Sequence, residues 1–144
     1  MTTIRFRQEH DYNGPVDDDR INVVIRVFGN SVPPISINAI LDTGAENSIF
    51  GIGLAPLLGI PDVRSGRSFP VQTAENRQAT GYLFDLDLEF LGHQMRAPVG
   101  FVPDWPDDIY NLLGMKGFFD QLIFGLDHSS RRLYFTALTA GAAQ

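Results

Sequence analysis

An all-β fold, a small barrel or sandwich, is what this sequence predicts. Short runs rich in Val, Ile, Leu and Phe recur along the chain, each bounded by Gly, Pro, Asn or Asp. Period-2 alternation marks several of these runs as strands. Only two short stretches suit a helix, too few for a helical layer.

The elements follow in order. Residues 3–7 suit a first strand, and 8–20 a polar, turn-rich loop. Residues 21–28 (Ile-Asn-Val-Val-Ile-Arg-Val-Phe) alternate with β-branched side chains and predict a strand. Gly29-Asn30-Ser31 signals a turn, and the extended pattern resumes from Val32 through Pro33-Pro34 to Leu41. Residues 52–58 predict one or two helical turns, stopped near Gly59 with Pro61 just beyond. A long hairpin follows over 68–91, with arms at 69–73 and 80–91 and a tip near 74–78. In its return arm Phe84, Leu86, Leu88 and Phe90 face one way, and Leu83, Asp85, Asp87 and Glu89 the other. Gly92-His93 predicts a turn and 94–102 a returning strand. Residues 103–108 read as a loop, 115–121 as a short helix, and 132–138 as a last strand. One domain is expected over 1–144, with its core at about 21–136 and a frayed tail at 139–144.

The totals bound the function. A chain of 144 residues with 44% hydrophobic content can build one real core. A net charge of −6 and a pI near 4.8 argue against a nucleic-acid partner, whose footprint is basic. The longest apolar stretch, 49–60, is too short and glycine-rich for a membrane span, and no polybasic patch marks a membrane partner. No secretory leader pattern opens the chain, so the cytoplasm is the expected location. There is no cysteine, hence no disulfide, thiolate metal site or cysteine nucleophile.

The most informative segment is 37–50, Ile-Asn-Ala-Ile-Leu-Asp-Thr-Gly-Ala-Glu-Asn-Ser-Ile-Phe. An apolar strand runs into Asp42-Thr43-Gly44 and leaves through Ala45 into a second apolar run. An acid at the end of a buried strand is expected to be desolvated. Gly44 lets a backbone N–H approach a carboxylate, the Thr43 hydroxyl can donate to a carbonyl or to a matching loop, and Ala45 leaves room for a ligand backbone. Taken alone, the triplet is far more often an ordinary turn in which Asp caps backbone N–H groups.

The wider context narrows this. Ala39-Ile40-Leu41-Asp42-Thr43-Gly44-Ala45, the central hairpin, and Asn111-Leu112-Leu113-Gly114-Met115 running into Arg132-Leu133-Tyr134-Phe135 together resemble the retropepsin-like aspartic proteases, especially the small bacterial members. The resemblance spans roughly 21–136. It implies a small closed β-barrel with one or two short helices, working as a homodimer on a peptide or protein substrate without a cofactor or metal. Asp42 would be the catalytic acid, with Thr43 and Gly44 as its supports. Ala45 and Glu46 beside the loop, and Ala74, Glu75 and Asn76 at the flap tip, would face substrate. Leu112, Leu113 and Gly114 would brace the loop in a ψ-shaped arrangement. With one motif per chain, the second acid must come from another copy.

Two departures stand out. The flap tip, 74–78, is polar and has no glycine until Gly81. Met115 stands where retroviral members often carry an Arg, which leaves Glu46 without its expected partner. A catalytically inactive dimeric peptide-binding or scaffold domain is therefore a second reading, and a monomeric β-domain with a plain turn is a third.

Other features read blandly. Asp17-Asp18-Asp19 suits a solvated loop better than a cation site. His10, His93 and His128 have no zinc spacing. Gly51-Ile52-Gly53 lacks the frame of a nucleotide fingerprint. Asp85, Asp87 and Glu89 suit the solvated side of a strand, with basic substrates near the flap as the alternative. Trp105 reads as packed under its loop, with a substrate platform as the alternative. Ser48 and Ser129-Ser130 lack the context of a nucleophile.

Overall fold

The computed structural model describes residues 3–12, 20–72, 75–106 and 110–138. The strands are β1 (Gln8–Asp11), β2 (Asn22–Phe28), β3 (Ile35–Leu41), β4 (Ser48–Phe50), β5 (Arg67–Gln72), β6 (Gln78–Phe90), β7 (His93–Phe101), β8 (Leu112–Leu113), β9 (Leu122–Asp127) and β10 (Arg132–Ala137). One helical turn, α1 (Leu54–Leu57), and two 3-10 turns, Val63–Ser65 and Phe119–Gln121, complete the elements. Among the described residues no helix is long and apolar enough to cross a membrane.

The larger sheet runs β2-β3-β8-β4-β7-β6-β5, and a further β2–β6 pairing closes it on itself. Closure removes the free edges that an open sheet would expose. Only the β5–β6 hairpin extends beyond the ring. Pro70 sits in β5, the outermost strand, where a missing N–H is tolerated. A smaller antiparallel sheet, β1-β10-β9, packs alongside.

Alternation sets the core. Val23, Ile25 and Val27 from β2, Leu86, Leu88 and Phe90 from β6, and Met95, Ala97, Val99 and Phe101 from β7 are all buried. The same cluster takes in Leu133 and Phe135 of β10, so one core joins the two sheets. Phe90 lies between Phe118 and Phe135, with ring centroids at 5.4 and 5.0 Å. The acidic face of β6 is neutralised across the strands. Asp85 meets Arg67 at 3.2 Å, Asp87 meets Arg96 at 3.1 Å and Glu89 meets Arg26 at 3.3 Å. These pairs lie on the solvated side of the sheet, as expected for that face.

Several expectations need correction. The first strand lies at Gln8–Asp11, not 3–7, because β10 pairs with residues 8–11 (Gln8↔Phe135 through Asp11↔Arg132). Phe6 instead lays its ring over Gly125, where a Cβ would lie 2.8 Å from it. The helix expected over 115–121 shrinks to the 3-10 turn at Phe119–Gln121. Gly117 adopts φ +85 and interrupts any longer helix. Strand β9 was not foreseen, since Leu-Ile-Phe-Gly-Leu-Asp does not alternate cleanly and its strand character comes from pairing with β10. The tail at 139–144 lies outside the described residues.

The β6–β7 turn carries a testable strain. Phe90 pairs with His93, so the two-residue turn is Leu91-Gly92, one residue earlier than Gly92-His93. Both adopt positive φ (48 and 88), the type I′ pattern. Leucine is poorly suited to that region, and Leu91 is 38% exposed, so little burial offsets the strain. Leu91→Asn is expected to stabilise the fold by about 0.5–1 kcal/mol, read from the urea midpoint. An unchanged or lowered midpoint would contradict this.

Candidate active site

β3 carries the chain into the Asp42 loop and β4 carries it out. Far later in sequence, β8 inserts between them, parallel to β3 (Leu41↔Leu113) and antiparallel to β4 (Ile49↔Leu112). The result is a ψ-shaped crossing beneath the loop. Asp42 N–H donates to the Leu113 carbonyl at 3.0 Å. The Met115 and Lys116 N–H groups donate to the carbonyls of Ala45 (2.9 Å) and Glu46 (2.8 Å). The loop is thus gripped by backbone on its far side, which an isolated turn is not.

Within the loop, Ala45 N–H donates to the Asp42 carbonyl at 3.1 Å, and Gly44 N–H donates to Asp42 Oδ1 at 2.9 Å. One carboxylate oxygen is therefore fixed by its own loop. Gly44 is not at positive φ; a Cβ there would lie 3.1 Å from Asp42 Oδ1 and crowd that bond. Asp42 is half-buried, less than a strand end suggests, while Thr43 and Gly44 are exposed at the tip. Among the described residues the Thr43 hydroxyl has no hydrogen-bond partner.

Two supports escaped the sequence reading. Ser48 is fully buried, and its Oγ accepts from Gly114 N–H at 3.0 Å. Asn111 ties three segments together, accepting from Gly51 N–H at 2.8 Å and donating to the Asn38 carbonyl at 3.0 Å. A buried hydroxyl inside the apolar run Ser-Ile-Phe was the only clue to the first.

Glu46 is not left without a partner. Lys116, one residue beyond Met115, reaches it at 2.6 Å. The hydrogen bond from Lys116, then its charge, holds the Glu46 carboxyl below the usual range. Such a tie contributes above the ordinary carboxylate range and is lost as pH falls through the lowered value. Both side chains are exposed, so the tie is weak and screened by salt.

Above the loop lies a groove of about 1000 Å³. Asp42, Ala45 and Glu46 line its floor, and Leu112 adjoins them. The β5–β6 hairpin forms one wall through Phe69, Val71, Glu75 and Gln78, and the loop after β7 forms the other through Asp104 and Trp105. Ile49, Val71 and Val102 make a small apolar cluster beneath, with Phe69, Ala79 and Trp105 packed on it. Trp105 is thus both anchored and part of the groove lining. Its indole Nε1 is buried, with no partner among the described residues.

Of the residues expected at the flap tip, Glu75 lines the groove. Asn76 does not; its side-chain oxygen accepts from Gln72 Nε2, and it adopts φ +63. Asparagine tolerates that conformation better than most residues, so Asn76 can hold this positive-φ position of the turn without a glycine. Ala74 lies outside the described residues, as do Asp17-Asp18-Asp19. Among the described residues no group of three or more His, Asp or Glu could hold a metal.

By sequence the chain matches no protein-family model and no curated protein. Among solved structures it superposes on a retropepsin-like aspartic protease from Rickettsia conorii with TM-score 0.65 and 17% identity, over 92% of this chain and 96% of that one. The fold is the retropepsin fold. EIAV protease, in complex with the inhibitor HBY-793, also matches, at TM-score 0.49 and 16% identity over 72% of this chain and 86% of that one. The β5–β6 hairpin stands beside the Asp42 loop as one wall of the groove.

Proposed function

We propose that this chain is an aspartic endopeptidase that acts as a homodimer, each copy giving one Asp42 to a shared dyad. The observation that carries this is Asp42 itself, fixed through Oδ1 on the floor of a long groove by a loop that β8 grips from behind. The exposed Thr43-Gly44 tip leaves two such loops free to meet. Two facing carboxylates share one proton, as in aspartic proteases generally. One Asp42 takes a proton from a water that attacks the peptide carbonyl. The other protonates the leaving nitrogen as the tetrahedral intermediate collapses. The pair titrates as a unit, so hydrolysis is favoured in acid and falls as the shared proton is lost.

The substrate lies extended in the groove beneath the flaps, its side chains alternating between pockets. Thr43 and Gly44 support the dyad, Ala45, Glu46 and Glu75 line the substrate path, and Leu112, Leu113 and Gly114 hold the loop. One retropepsin-like domain, centred on 21–136, suffices for this. The two departures that favour a non-catalytic scaffold are both offset, by Lys116 at Glu46 and by Asn76 in the flap turn.

The test pairs sedimentation with digestion of an unfolded protein substrate between about pH 4 and 7, products being read by mass spectrometry. Cleavage that rises with the dimer fraction supports the reading. A monomer at all working concentrations, or a dimer that binds peptides without cutting them, refutes it.

A further inference from the structure

We propose that the loop after β7 makes this groove select peptides that carry a basic side chain, Lys or Arg, beside a large apolar one. This names a substrate class for the site above and rests on that reading.

Four acids line the groove: Asp42, Glu46, Glu75 and Asp104. Glu46 is paired with Lys116, and Glu75 with Arg77 at 3.6 Å. Asp42 is committed to the proposed chemistry. Asp104 alone among them has neither an ion pair within the described residues nor a role in the reaction. It also borders an adjoining recess of about 360 Å³, whose other polar side chains, Ser68, Gln78 and Thr80, are all neutral. The groove lining also holds a cation, Arg77, which is paired with Glu75, so the Asp104 charge stands at the groove's side with no ion pair among the described residues.

The surface leading to that charge is apolar. Phe69 and Trp105 sit on the cluster of Ile49, Val71 and Val102, and both border the groove with Asp104. A long basic side chain suits such a surface, since its stem covers apolar area while its head stays charged. An arginine head also stacks favourably on an aromatic face. The same wall accepts the neighbouring apolar side chain. A glutamate at the basic position would meet Asp104 and the chain's net charge of −6 instead.

The experiment uses matched peptides that differ only by Lys, Gln or Glu at each position around the cleaved bond. Wild type is compared with Asp104→Asn and Asp104→Lys. Because Asp104 is exposed, attraction and repulsion together should give about a tenfold preference for Lys over Glu in kcat/KM at one position. Asp104→Asn should shrink that ratio to about twofold, and Asp104→Lys should invert it. High salt should compress the wild-type ratio. The same Lys-to-Glu ratio in all three proteins, or no wild-type preference at any position, overturns the proposal. If wild type cleaves none of the peptides, the protease reading fails by itself. The ratios are then read from binding of the same peptides by fluorescence anisotropy, where equal affinity for Lys and Glu forms overturns the inference.

Discussion

Asp42→Asn is expected to lower peptide hydrolysis by about 10³-fold or more while leaving the fold intact. An Asn side-chain oxygen can still accept from Gly44 N–H, the bond that Asp42 Oδ1 accepts at 2.9 Å. What is lost is the proton that the dyad must hold and hand over. The effect should fall on kcat, because an extended peptide still finds the groove, its apolar wall and the flap. Mixing sharpens the test. In a two-fold dimer with a shared site, equal parts of wild type and Asp42→Asn that exchange subunits retain about a quarter of the wild-type activity. Chains that act independently would retain about half. Circular dichroism and the unfolding midpoint should match wild type, and robust hydrolysis by the variant would sink the assignment of Asp42.

Gly114→Ala is expected to damage both stability and activity. A Cβ at Gly114 would lie 2.6 Å from the carbonyl carbon and oxygen of Asn47 and 2.8 Å from the Ala45 oxygen. All three are backbone atoms of the segment leaving the Asp42 loop, so no rotamer change relieves the clash. Strands β4 and β8 have to separate, straining the Gly114 N–H bond to Ser48 Oγ and the nearby bond from Asp42 N–H to Leu113. Overpacking and loss of a buried hydrogen bond together suggest a cost of about 3 kcal/mol. Displacement of the Asp42 loop is expected to add a fall of about 10²-fold in kcat/KM for each ångström of misplacement. Gly53→Ala is the control. Gly53 has φ −65, and nothing lies within 4 Å of a Cβ there. That variant should be neutral or stabilised by up to about 1 kcal/mol. Similar unfolding midpoints for the two alanine variants would contradict the close approach at Gly114.

Much of this was legible in local patterns. Alternation along β6 separated Leu86, Leu88 and Phe90, which enter the core, from Asp85, Asp87 and Glu89, which do not, because one face of the strand is buried and the other is not. Asp42 and Leu112–Leu113 were readable as separate motifs. That β8 lies between β3 and β4 is a fact of chain path, reached here only through the resemblance. Lys116 as the partner of Glu46 depends on that same crossing, through the pairing of Asn47 with Lys116, and no local spacing encodes it. Ser48 reads as a lone hydroxyl until Gly114 is brought against it. The shift of the first strand to Gln8–Asp11 and the existence of β9 are both set by β10, a strand distant from β1 in sequence. Trp105 was legible as packed under its loop, whereas Asp104 reads only as a turn residue, since its place at the groove depends on the β5–β6 hairpin opposite.

The most direct measurement is a crystal structure of the wild-type protein, read for the separation of Asp42 carboxylates across a two-fold axis. Hydrogen-bonding reach, about 3 Å, is expected, with the two Thr43-Gly44 tips in contact. An Asp42 that stands solitary in every copy, bonded only to its own Gly44 N–H, would contradict it and leave a peptide-binding groove without a dyad.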